Sequence, residues 1–109
     1  MNAHKQFEIF KCILKNRNKI SFNVSGNCMK GTIEEGSSIK VSSIDDVQNI
    51  KIGDILAVFK HDKYYAHRVV DIIYDYSLST KEVFILKGDN NFIVDQPVIP
   101  KEIIGIIIN

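Results

Sequence analysis

The chain has 109 residues, 45% hydrophobic and 25% charged, with 14 basic against 13 acidic side chains and a net charge of +1. That balance suits one globular domain, residues 1–109, large enough to bury a core without disulfide staples. No basic block marks a nucleic-acid partner, and no segment reaches the roughly 20 apolar residues that span a bilayer.

The first stretch, "MNAHKQFEIFKCILKNRNK", lacks the uninterrupted apolar core of a signal peptide. Between residues 6 and 15 it sets Phe7, Phe10, Ile13 and Leu14 at helical spacing, with Lys5, Glu8, Lys11 and Lys15 between them. That pattern predicts an amphipathic helix over about 5–16. From about residue 18 the period changes to that of strands. "ISFNV" and "SIKVSSI" alternate as half-buried strands do, and "GDILAVF" is apolar enough to be covered on both faces. "KHDK" then turns the chain into "YYAHRVVDII", which makes a hairpin. The polar connection "YDYSLSTKE" leads to "VFILKGD". "NNFIVDQPVIPKE" reads as irregular and holds Pro97 and Pro100, and "IIGIII" is a short closing strand. The expected fold is mostly β, a barrel or coiled sheets over about 18–108, with one N-terminal helix. Cys12 and Cys28 are too few for a disulfide framework and read as free thiols in a reducing cytoplasm.

Chemistry concentrates at three places. Cys28 lies in the glycine-rich "SGNCMKGTI", His67 shares a strand face with Tyr65 and Val69, and Asp89 and Asp95 flank "GDNNFIVD". A cysteine nucleophile needs a base to take its proton, and a carboxylate on the far imidazole nitrogen fixes the tautomer that can do so. From residue types alone, Cys28 reads sooner as a buried thiol and His67 as a structural histidine, and Asp95 reads also as the start of a turn.

The order of "VSGNCMKGTI", "IKIGDILAVF", "AHRVV", "LKGDNNFIVD" and "IIGIII" resembles the signal peptidase I family over about residues 18–108. The likeness is to its histidine-base branch and to short soluble relatives without a membrane anchor. Val24, Gly26, Met29 and Thr32 match the family's first motif, and Cys28 stands where the nucleophilic serine would be. The resemblance implies Cys28 as nucleophile, His67 as general base and Asp95 as the carboxylate completing the triad. It also implies an oxyanion and substrate-binding role for Gly26, Cys28 and Met29, with the Cys28 N–H as donor and Met29 packed beneath. Arg68, Asp89, Gly53 and Asp54 are expected to support structure, Asp89 by bracing its loop through backbone hydrogen bonds.

Three positions depart from the family pattern: Cys28 for serine, Gly31 for the usual proline, and Gly36-Ser37 for a Gly-Asp pair. Gly31 is expected to loosen the turn that proline stiffens. The resulting reading is a soluble peptidase that cleaves a peptide or precursor by Cys/His/Asp chemistry, with no cofactor or metal. Its alternatives are a peptide-binding module of the same fold without turnover, and a serine peptidase in which serine has been exchanged for cysteine. A zinc site from Cys12, Cys28, His61 and His67 lacks the short ligand spacings that structural zinc prefers.

Overall fold

A computed structural model describes residues 2–77 and 82–108. The first helix, α1 (Ala3–Arg17), is longer than the apolar spacing predicts because polar residues cap both ends. The Asn2 side chain accepts from the Lys5 N–H at 2.8 Å. At the other end Asn18 turns left-handed, with φ 69°, and donates to the Leu14 carbonyl. Lys15 and Arg17 complement the helix dipole in the last turn. A helix of this length is marginal alone, so its tertiary contacts hold it. Phe7 and Leu14 are buried, and Phe7 stacks on Phe59 with ring centroids 4.7 Å apart. Burial of each side chain contributes about 1.5–3 kcal/mol.

Six strands follow: β1 (Lys19–Asn23), β2 (Ser38–Ser42), β3 (Ile55–Lys60), β4 (Lys63–Tyr74), β5 (Glu82–Lys87) and β6 (Ile103–Ile108). They form one antiparallel sheet in the order β1-β2-β6-β3-β4-β5. The ladder has two ends, β1 and β5, so it does not close into the barrel that was one of the two expected forms. Beyond β5, Asp95 and Val98 continue the pairing: the Asp95 N–H donates to the Leu86 carbonyl, and Val98 and Phe84 exchange two bonds.

The apolar run of β3 is covered on both faces, as its composition predicts. Leu56 and Val58 pack with Val69, Phe84, Leu86 and Val98 on one side. Ala57 and Phe59 pack with Val41, Ile104, Phe7 and Leu14 under the helix on the other. A third cluster, Met29, Ile33 and Ile39, lies under the cysteine turn.

Some boundaries differ from the sequence reading. β2 ends at Ser42 because a 3-10 turn, Val47–Asn49, follows it, capped by the Asp46 carboxylate on the Gln48 N–H. β4 runs on to Tyr74, with a bulge between Val69 and Asp71, so part of the connection after it is strand. Residues 78–81 of that connection lie outside the described residues. The stretch expected to be irregular holds a second 3-10 turn, Pro100–Glu102, and the Asp95–Val98 extension of the sheet.

Candidate active site

Cys28 sits on the turn between β1 and β2. The base of this connection is closed by Val24 donating to the Ser37 carbonyl at 2.9 Å and Gly36 donating to the Val24 carbonyl at 2.8 Å. Within it, Lys30 donates to the Asn27 carbonyl and Ile33 to that of Met29. Met29, 2% exposed, and Ile33 plug the turn into the third apolar cluster. Met29 therefore lies beneath the cysteine turn.

Two expectations about this turn need correcting. Gly31 has φ 99°, which proline cannot adopt, and its N–H donates to Glu34 Oε2 at 2.9 Å. The glycine serves a differently shaped turn that Glu34 ties down, so it does not simply loosen the family's turn. The Gly26 N–H is also engaged, by Glu35 Oε2 at 2.9 Å, and does not face the thiol. The amides that draw the thiol pKa down are those of Cys28 and Met29. Among the described residues neither donates to a backbone carbonyl or a side-chain acceptor.

The three candidate residues meet across the fold. His67, 7% exposed on β4, places Nε2 3.1 Å from Cys28 Sγ. Its Nδ1 is paired with Asp95 Oδ2. Because Nδ1 faces a carboxylate it carries the proton, which leaves Nε2 to accept from the thiol. The three residues lie 39 and 28 positions apart in the chain, so their meeting is a product of the sheet and not of local sequence. Burial pushes the Cys28 thiol above its ordinary pKa and the charge of Asp95 adds to this, while the amides of Cys28 and Met29 pull it down. The Tyr65 ring lies 4.8 Å from that of His67. Its hydroxyl is pushed up to about 12 by burial, then by Asp95 and Glu102, so it remains a neutral wall of the site.

The "KGDNN" loop, after β5, locks onto the cysteine turn. The Asn90 N–H donates to the Cys28 carbonyl at 2.8 Å, and Asn90 Nδ2 to the Asn27 carbonyl at 3.0 Å. The Asp89 N–H points at Met29 Sδ, 3.2 Å away. Asp89 does brace this region, but its carboxylate works through side chains and not through the backbone bonds expected of it. It takes Arg68 Nε and Nη2 at 2.9 and 2.7 Å, and the Thr32 hydroxyl at 2.5 Å. Arg68 also donates to the Gly53 carbonyl. Gly53, with φ 100°, and Asp54 form the turn before β3. The Gly53 N–H donates to the Val69 carbonyl and Asp54 Oδ2 accepts from the Lys51 N–H, which is the structural role expected of them.

Arg68 first, then Thr32, hold the Asp89 carboxyl down at about 2, against burial. An unfolded aspartate titrates near 3.9, so this pair stabilises the fold above about pH 4 and the contribution is lost as pH falls through about 2. The two side chains are 33% and 22% exposed, so solvent screening trims the effect to about 1–2 kcal/mol. Arg68→Ala is expected to lose that much stability at pH 7 and to flatten the stability curve between about pH 4 and 2. Urea unfolding at stepped pH measures both, and a curve parallel to the parent's would exclude this pair as the source.

Two clefts flank the cysteine and histidine. One, of about 220 Å³, is mainly apolar; Cys28, Met29, Phe22, Ile39, Tyr65 and Ala66 are among its lining residues. The other, of about 330 Å³, is lined by His67, Asp95 and Gln96 with Lys60, His61, Lys63 and the two adjacent tyrosines. Cys12 is exposed on α1, and both cysteines are free. Among the described residues no group of three histidine, cysteine or acidic side chains could hold a metal ion. No helix among them is long and apolar enough to cross a membrane.

Comparison of the chain with family models, with curated proteins and with solved structures finds no match. The site is therefore read from its own geometry. That geometry brings Cys28, His67, Asp95 and Met29 together, puts Arg68, Asp89, Gly53 and Asp54 around them, and turns the Gly26 amide elsewhere. Sequence reading missed Glu34 and Glu35, whose carboxylates tie the two glycines. It also passed over Asn90 as more than part of a matching block.

Proposed function

We propose that this chain is a signal-peptidase-like peptidase that uses cysteine in place of serine. The observation that carries the reading is the Cys28 Sγ to His67 Nε2 approach of 3.1 Å, with Asp95 on the opposite ring nitrogen. In the first half-reaction Sγ bonds to the scissile carbonyl carbon while the thiol proton passes to Nε2. The N–H groups of Cys28 and Met29 receive the oxyanion, and His67 then protonates the departing amine as the C–N bond breaks. Water, deprotonated by His67, hydrolyses the thioester and returns the thiol.

The two clefts support a direction for the substrate. The acyl part must lie on the Cys28 side, in the apolar cleft, whose 220 Å³ suits small side chains. The leaving amine must lie within reach of His67, in the second cleft, which His67, Asp95 and Gln96 help to line. The raised thiol pKa favours a neutral thiol whose proton moves during attack, over a preformed thiolate–imidazolium pair. A peptide-binding module without turnover would also keep a neutral thiol.

One experiment separates these readings. The chain is incubated with a pool of alanine-rich peptides, products and acylated Cys28 are followed by mass spectrometry, and Cys28→Ala is the control. Cleavage that depends on Cys28 supports the peptidase. Retained peptide binding with no acyl-enzyme and no product would leave the binding module. Iodoacetamide labelling across pH reports the resting state. The Cys28 midpoint is expected above the free value of about 8.5 and lower in Asp95→Asn, because a negative charge has been removed. A parent midpoint well below the free value would establish the ion pair instead.

A further inference from the structure

The peptide group is planar and trans, so its C=O and N–H point in opposite directions. Fixing a carbonyl therefore fixes the direction of the N–H in the same unit. The Asn27 carbonyl belongs to the unit that carries the Cys28 N–H, and the Cys28 carbonyl to the unit that carries the Met29 N–H. Asn90 reaches both carbonyls: its Nδ2 bonds the first at 3.0 Å, beside the Lys30 N–H at 3.1 Å, and its N–H bonds the second at 2.8 Å.

We propose that Asn90 is the positioning residue of the oxyanion site, orienting the Cys28 and Met29 amides from behind. This assignment rests on the peptidase reading above. Asn90 touches neither substrate nor thiol; it acts through the two peptide planes. The loop that presents it is built for close approach. A Cβ on Gly88 would lie 2.7 Å from the Cys28 carbonyl oxygen, and Lys87 Nζ closes the loop by donating to the carbonyls of Gly88 and Asn91.

Two probes of Cys28 test this. A tri-alanine aldehyde forms a tetrahedral thiohemiacetal that uses the oxyanion donors, whereas iodoacetamide alkylates Sγ without an oxyanion. Asn90→Asp keeps the shape and the backbone N–H but replaces the donor to Asn27 with an oxygen. Removal of a full oxyanion donor costs 10²–10³-fold, so misdirecting one of two is expected to weaken aldehyde binding by about 10- to 100-fold. The iodoacetamide rate at matched thiolate fraction should stay within about twofold. Asn90→Ala, which adds no charge, should behave alike. Equal aldehyde affinity in parent and variants would overturn the assignment while leaving the peptidase reading intact. Parallel losses with both probes would also overturn it, as a general structural role. A parent that forms no aldehyde adduct would remove the peptidase reading and the assignment together.

Discussion

Asp95→Asn is expected to reduce Cys28-dependent turnover by roughly 10²–10⁴-fold with the fold intact. Asp95 acts on His67 twice. Its carboxylate holds the proton on Nδ1, so that Nε2 is free to accept from Sγ 3.1 Å away, and its charge stabilises the imidazolium formed during attack. An amide gives up the charge and can present its own N–H to Nδ1, which puts the ring proton on Nε2, where it cannot accept. The same substitution should make the thiol more acidic, because Asp95 raises its pKa. Thiol acidity and turnover are thus expected to move in opposite directions; because unfolding would also free the thiol from burial, the result counts only where the fold is kept. Acyl-enzyme formation from an alanine peptide, measured beside circular dichroism of each variant, gives the result. A loss smaller than about threefold would sink the triad.

The second large effect is structural. Gly105→Ala should lower stability by about 2 kcal/mol and the melting temperature by roughly 8–16 °C. A Cβ there would lie 2.3 Å from the Ser42 carbonyl oxygen and 2.7 Å from Val41 Cγ1. The first of these is backbone and cannot rotate away, so β2 and β6 must separate. The gain from a less flexible unfolded chain, about 0.4–1 kcal/mol, offsets only part of this. Thermal unfolding by circular dichroism measures the shift, and a change under about 3 °C would mean that the two strands are not held so closely.

What could be read from the residues was whatever depends on local pattern. Alternation located β1 and β2, because it reports directly which face a strand buries, and apolar runs between turns located the other strands. The fully apolar "ILAVF" announced that β3 is covered on both sides. Cys28, His67 and Asp95 were legible only through the order of the motifs, and the sheet is what brings them within reach. The pairing of the strands was hidden, since β6 between β2 and β3 is a long-range contact that no local period encodes. The hydrogen bonds of the cysteine turn were hidden for a related reason. Glu34 and Glu35 look like solvated charges after "KGTI", yet their carboxylates satisfy the amides of two glycines with positive φ. Asp89 looked like a loop brace. That its partners are Arg68 and Thr32, from two other elements, depends on how β4 and the turn are packed.

The place of β6 has a consequence for the newly made chain. Cys28 hangs from the β1–β2 pair, and His67 and Asp95 belong to the β3–β4–β5 group; β6 is the strand that hydrogen-bonds to both β2 and β3. Of the six it is the last to be synthesised, and distant pairings form late and cooperatively. During translation the Cys28 turn and the His67 strand therefore belong to separate halves of the sheet until β6 is made. Under the peptidase reading, thiol and imidazole are expected to meet only once "IIGIII" has paired with both halves.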